Sequence, residues 1–229
     1  MLLHIPKVLD AAQVADFRKK LATAGWADGR ITAGFQSARA KNNLQLPESD
    51  PVARELSAVV QGALDRNALF FAAALPRRIF TPLFNLYKVG NGFADHIDNA
   101  VRIEQAPGRV GEPVRTDLSA TLFLSSPEEY DGGELNIGSK SGAQRVKLPA
   151  GDMILYSAST VHRVEAITRG ERLASFFWIQ SMVRDDGERA LLLDLDVAIQ
   201  KINQDHPGHP ASVELVGVYH NLLRRWAEL

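Results

Sequence analysis

The sequence contains no cysteine. Disulfides, thiolate-bound metals and cysteine nucleophiles are therefore excluded, and any metal ion must be held by histidine, carboxylate or backbone oxygen. An excess of charge of either sign is missing too. The 26 basic and 27 acidic residues leave a formal net charge of -1, which gives no electrostatic reason to expect a nucleic-acid backbone or an anionic membrane as the main partner. No uninterrupted apolar run approaches the roughly 18 residues a membrane span needs, and MLLHIPKVLDAAQ lacks the basic start and apolar stretch of a signal peptide. These absences predict a soluble cytoplasmic protein. Internal repeats and low-complexity tracts are also absent. What remains is 229 residues, 45% hydrophobic and 23% charged, enough for a sizeable core in one large or two small domains.

Leu2 to Leu9 reads as a short strand. Asp10 then caps a helix to about Ala24, with Gln13 three residues after the cap, an apolar stripe at Val14, Phe17 and Leu21, and Gly25 beyond the end. Ser49-Asp50-Pro51 opens a second helix that runs to about Ala74, a cap followed by proline at the first helical position. Between them, Gly34 to Leu46 is polar and shows no period. From Arg77 to about Gln180 the pattern changes to short β-branched, aromatic and aliphatic runs: Arg77–Val89, Leu118–Leu124, Glu134–Ile137, Arg145–Leu148, Met153–Tyr156, Val161–Ile167 and Leu173–Ile179. Turn signals such as Gly90-Asn91-Gly92, Asp131-Gly132-Gly133 and Thr168-Arg169-Gly170 separate them. Closely spaced strands without intervening helices predict an antiparallel sandwich or jelly roll. After Ser181, GERALLLDLDVAIQKI and SVELVGVYHNLLRRWAEL read as a helical pair. The expected division is 1–76 as an amino-terminal support, 77–181 as the barrel and 182–229 as the helical segment.

Just beyond the first barrel strand stands GFADHIDN, in which His96 and Asp98 are one residue apart. On a strand both point one way while Ile97 packs on the other side. With 6 histidines and 27 acidic residues, about 0.7 such pairs arise by chance, so the pair alone reads as a polar turn. His162 supplies a third candidate from a distant strand. Two histidines and one carboxylate with open positions suit non-haem iron and oxygen chemistry, although zinc accepts the same ligands. Arg172 opens the next strand, and across a turn at Thr168–Glu171 that strand is expected to return beside the His162 strand. An arginine directed into a barrel needs a carboxylate partner; the plainer reading is a surface arginine beside Glu171. Ser119, Thr121 and Phe123 share one face of their strand and could line the same pocket. His206 and His209, in DHPGHP, read as a solvated turn between the last two helices.

Tyr87-x-x-Gly90-x-x-Phe93-x-x-His96-x-Asp98, followed by His162 and Arg172, resembles the Fe(II)- and 2-oxoglutarate-dependent dioxygenases of the prolyl hydroxylase type. More narrowly, nearly the whole chain resembles the bacterial PKHD-type (prolyl/lysyl hydroxylase-like) hydroxylases. The resemblance implies an α+β protein: a double-stranded β-helix, or jelly roll, with amino-terminal helices packed on it and a carboxy-terminal helical pair. It implies that His96, Asp98 and His162 bind Fe(II), that Arg172 pairs with the distal carboxylate of 2-oxoglutarate, and that Tyr87 contacts this cosubstrate, although a core aromatic is an equal reading. Phe93 departs from the pattern, because many prolyl hydroxylases carry tyrosine there. The implied reaction hydroxylates a C–H bond with O2, releasing succinate and CO2, with ascorbate as reductant. The substrate expected is an amino-acid residue or an amino-acid-like molecule, chosen by residues in the segments Asn99–Arg115 and Ser37–Leu46.

Three other readings compete. A cupin-like metal-binding protein would use the three ligands but give Arg172 no cosubstrate to meet. A repair dioxygenase for alkylated nucleic acid would need a basic strip with interleaved aromatics, which the near-zero charge does not suggest. A regulatory interaction module would place the function in the terminal helices, whose apolar stripes more simply pack on the barrel or on a second copy of the chain in a homodimer.

Overall fold

The computed structural model describes residues 1–32, 39–104, 111–138 and 142–229. In chain order the strands are β1 (Leu2–Ile5), β2 (Ala27–Asp28), β3 (Lys41–Asn42), β4 (Leu44–Gln45), β5 (Pro76–Ile79), β6 (Leu83–Tyr87), β7 (Gly92–His96), β8 (Val101–Ile103), β9 (Pro113–Arg115) and β10 (Leu118–Phe123). They continue as β11 (Tyr130–Asp131), β12 (Leu135–Ile137), β13 (Gln144–Val146), β14 (Met153–Ser157), β15 (His162–Val164), β16 (Arg169–Gly170) and β17 (Arg172–Ser181). The helices are α1 (Ala11–Leu21), α2 (Pro51–Asp65), α3 (Ala68–Ala74), α4 (Asp186–Asp205) and α5 (Pro210–Trp226). The larger sheet runs β1-β14-β10-β17-β6-β4-β2, with β5 also on β17, and the smaller runs β13-β12-β15-β7-β3. This is the antiparallel double sheet that the strand pattern predicts, within the α+β arrangement that the resemblance implies.

The larger sheet is covered on both faces. Leu118, Ala120 and Leu122 of β10 join Met153 and Leu155 of β14 in a cluster with Phe17, Leu56, Val60 and Phe70 of α1, α2 and α3. The alternate residues Phe123, Ile154 and Tyr156 pack instead with Leu135, Ile137 and Val164 of the smaller sheet. Period-2 alternation thus sends one set of side chains to the helices and the other into the barrel. Every residue of β6, β10 and β14 is buried, which explains their nearly continuous apolar text.

Several boundaries differ from expectation for local reasons. β1 stops at Ile5, ahead of Pro6, which has no N–H to give a ladder. The helix expected over 51–74 is two helices, because Asn67 leaves the helical path and its side chain accepts the Phe70 N–H at 2.8 Å as a new cap. The strand expected over 77–89 divides at Phe80-Thr81-Pro82, and β5 and β6 take opposite halves of the long strand β17. The polar segment before Leu46 contributes β3 to the smaller sheet and β4 to the larger, each two residues long; its stretch 33–38 lies outside the described residues.

One connection is corrected. β17 does not return beside the His162 strand: it pairs with β10, β6 and β5 in the larger sheet, whereas β15 pairs with β12 and β7. Phe177 and Ile179 of β17 belong to the cluster under the helices, and only the larger sheet offers that cover. The crossing is held by β16 on β11, at Gly170, where φ is +73° and a Cβ would lie 2.0 Å from the Glu129 carbonyl oxygen.

The carboxy-terminal pair forms as expected, with Leu192 of α4 and Tyr219, Leu223 and Trp226 of α5 packed on Leu75 and Val183. His206 and His209 lie exposed in the turn between them, and His209 caps α5 by accepting the Ala211 N–H. Among the described residues no helix is long and apolar enough to cross a membrane.

Candidate metal and cosubstrate site

The register between β7 and β15 sets His96 opposite His162. Directly opposed residues share one face of a sheet, and here the two ring centroids are 4.2 Å apart. Asp98 lies beyond the end of β7 and brings Oδ2 to 3.7 Å from His162 Nε2. One ligand atom from each of the three residues lies within 4.8 Å of the others. The route differs from simple alternation: the strand ends at His96, and Ile97 is 50% exposed rather than packed. Asp98 and Asn99 are turn formers, and past His96 no partner strand among the described residues continues the ladder.

Both imidazoles are oriented by main chain. His96 Nδ1 donates to the Ala94 carbonyl at 2.8 Å, and His162 Nδ1 donates to the Thr160 carbonyl at 2.9 Å. A carbonyl only accepts, so in each neutral ring the proton sits on Nδ1 and Nε2 keeps its lone pair. Burial, reinforced by the neighbouring His162, lowers the His96 pKa to about 4, which keeps that ring neutral at physiological pH. Phe93 stacks on His96 with centroids 3.5 Å apart and planes 12° apart. Ser119 Oγ donates to Asp98 Oδ2 at 2.6 Å. Tyr156 meets the His162 ring edge-on at 5.1 Å, and burial raises its phenol pKa well above the usual value. Two nitrogen lone pairs and one carboxylate on the same side fit a divalent cation with positions left open.

Arg172 opens onto the same cavity from the opposite sheet. It is 1% exposed, in register with Tyr87, and its guanidinium carbon lies 5.4 Å from the Tyr87 ring and 5.1 Å from the Phe123 ring. Its Nε and Nη2 have no hydrogen-bond partner among the described residues. Burial raises the Tyr130 phenol pKa while the nearby Arg172 charge pulls it back down. A buried guanidinium with unmet donors is costly unless an anion completes it, and its fork matches a carboxylate. The plainer reading of Arg172 as a surface residue is thereby set aside. Tyr87 is 1% exposed, and burial raises its phenol pKa as well.

The cavity, about 740 Å³ with the open space at its mouth included, is lined by the triad, Arg172 and Tyr87 together with Ser119 and Thr121, as the alternation of β10 anticipated. It also includes Lys41, Asn85, Arg102 and Trp178, which the sequence did not single out. Burial lowers the Lys41 pKa to about 8 and lowers that of Arg102. Both residues come from the two segments expected to choose the substrate, though each sits on a short strand rather than in a loop. Residues 105–110 of the second segment lie outside the described residues.

The chain matches the model of the 2OG-Fe(II) oxygenase superfamily over residues 82–180 and that of the PKHD-type hydroxylase C-terminal domain over residues 186–228. It is 59% identical over 229 residues to a PKHD-type hydroxylase of Xanthomonas campestris and 57% identical to one of Pseudomonas fluorescens, covering 100% of every chain. Among solved structures it is similar to a Pseudomonas putida prolyl-4-hydroxylase, with a TM-score of 0.51 at 21% identity, covering 79% of this chain and 92% of that one. It is similar also to HygX of Streptomyces hygroscopicus with nickel and 2-oxoglutarate bound, with a TM-score of 0.52 at 18% identity, covering 77% of this chain and 81% of that one. At such identities the structural likenesses establish the jelly roll, while the full-length relatives establish the family. The chain belongs to the PKHD-type hydroxylases of the 2OG-Fe(II) oxygenase superfamily, enzymes that use iron, 2-oxoglutarate and O2.

Proposed function

We propose that His96, Asp98 and His162 hold Fe(II), that Arg172 receives the distal carboxylate of 2-oxoglutarate with Tyr87 against the bound keto acid, and that the substrate is an amino-acid residue or an amino-acid-like molecule. The observation that carries this reading is the buried Arg172, with two unpartnered nitrogens, in one cavity with the three ligand atoms. A metal-binding protein without a cosubstrate would have no use for that arginine. The prolyl hydroxylases among the structural relatives support an amino-acid-like acceptor.

Bound there, iron and the keto acid supply O2 activation, coupling decarboxylation to succinate and CO2 with hydroxylation of a C–H bond. The protein's own part is positional. Arg172 fixes the far end of the keto acid by a charge-assisted fork, so that its other end is presented to the triad. The Ala94 and Thr160 carbonyls hold both Nδ1 protons, and Ser119 holds the Asp98 carboxylate. Phe93, Tyr156 and Leu135 wall the centre and limit water. We assign the barrel to 77–181, the support to 1–76 and the helical segment to 182–229, with ascorbate as reductant in the cytoplasm and no nucleic-acid partner, on the family resemblance and the balanced charge.

Anaerobic Fe(II) with 2-oxoglutarate should give a metal-to-ligand charge-transfer band, and admission of O2 should yield succinate. Absence of both from correctly folded protein would reject the reading.

A further inference from the structure

Among the described residues, three cations line the cavity, Lys41, Arg102 and Arg172, against one carboxylate, Asp98. The two charges of Fe(II) and the two of 2-oxoglutarate cancel, so the loaded cavity keeps a surplus of two positive charges. Outside the lining, Glu48 acts on Arg102 and Asp28, itself paired with Arg30, acts on Lys41, and each offsets part of it. Arg172 is assigned to the keto acid. The surplus therefore rests on Lys41 and Arg102, and both feel Asp98, which places them with the triad.

Both cations are built into an aromatic wall. Lys41 Nζ is 5.4 Å from the Phe176 ring centroid and 5.8 Å from that of Phe93, the ring stacked on His96. Arg102 lies 4.2 Å over Trp178 and 5.3 Å over Phe80, and Phe176 meets Trp178 edge-to-face at 5.6 Å. One continuous platform thus carries both charges beside the metal ligands. Lys41 is 6% exposed and is further tethered by donating to Gln45 Oε1 at 2.8 Å. Desolvating two like charges side by side is unfavourable, and an oxyanion bound between them relieves both costs.

We propose that Lys41 and Arg102 form an anion anchor for the acceptor substrate, so that the molecule hydroxylated carries an oxyanion, a carboxylate or a phosphate, close to the C–H bond it presents to the triad. The proposal rests on the function proposed above in taking the triad as the reacting centre.

The probes are benzoate, phenyl phosphate and benzamide, titrated anaerobically into protein loaded with Fe(II) and 2-oxoglutarate, with the charge-transfer band and tryptophan fluorescence as readouts. Benzoate or phenyl phosphate should perturb both signals and neutral benzamide neither, and the stronger of the two anions identifies carboxylate or phosphate. Lys41→Met and Arg102→Met, which keep the apolar stems, should each weaken anion binding by about tenfold or more while the 2-oxoglutarate band still forms, showing intact folding. The anchor is overturned if neither anion binds, if benzamide matches benzoate, if the variants respond like wild type, or if excess 2-oxoglutarate displaces benzoate. It falls equally if Lys41→Met weakens 2-oxoglutarate as much as benzoate. Failure of the function itself would appear as no charge-transfer band in wild type, whereas fluorescence quenching by benzoate in metal-free protein would still report the anchor.

Discussion

The two ends of the cavity are made of different material. The Arg172 end belongs to the central strands of the larger sheet, β6, β10 and β17, which are five to ten residues long and mostly buried. The triad end belongs to the smaller sheet and its margins, where β7 is half-exposed, β15 has three residues and Asp98 follows a strand end. A rigid wall faces the part of the reaction that every substrate shares, the keto acid. Short, partly exposed elements carry Lys41 and Arg102, the residues we connect with the substrate that varies. The difference also separates two kinds of fixation: packing holds Arg172, whereas hydrogen bonds to the Ala94 and Thr160 carbonyls and from Ser119 add to the ring contacts in holding the three ligands.

Mutations should follow that contrast. The largest effect is expected for His162→Ala, which removes one of three ligands: metal titration should show loss of Fe(II) binding, and the charge-transfer band should vanish. Next comes Arg172→Leu. Removing one side of a buried charge pair costs roughly 2–5 kcal/mol, so 2-oxoglutarate affinity should fall by about thirty-fold to several thousand-fold while metal binding persists. The same variant without ligand should melt at the wild-type temperature or above, because an uncompensated buried cation has been removed. Equal losses of metal and keto acid would contradict the separation of the two ends. Ser119→Ala, which deletes a single support of a ligand, should weaken metal binding by about tenfold.

The smallest effect concerns pH. The His96 pKa is about 4 in the folded protein against an ordinary 6.5, so between these values the unfolded state binds more protons. The stability contribution is therefore complete above about pH 6.5 and lost as pH falls toward 4. Thermal melts of metal-free protein across this window should show the decline, and His96→Gln should flatten it. An unchanged slope would mean that another group dominates.

Most of the fold was legible because barrel strands and helices carry long patterns: the capping box at Asp10 and Gln13, the stripe at Val14, Phe17 and Leu21, and the alternation of Ser119 and Thr121 appear where expected, while Phe123 of the same face packs in the cluster between the sheets. The triad was legible only as a combination, since His-x-Asp is near chance by itself. Asp98 reached it by a turn rather than by strand alternation. Lys41 and Arg102 stayed invisible because strands of two or three residues show no period. The sheet membership of β17 was hidden for another reason: a tight-turn signature at Thr168–Gly170 says that the chain reverses, not which sheet it joins.

Each ligand histidine bonds through Nδ1 to the carbonyl of the residue two positions before it, Ala94 or Thr160. The tautomer is thus set by the path of the backbone, within a unit of three residues that borrows no distant side chain. Replacing Ala94 or Thr160 by another residue leaves the carbonyl in place. The tautomers of both histidines are therefore insulated from sequence drift in the surrounding walls, and the cavity can be relined for a new substrate around them so long as Ser119 stays to hold Asp98.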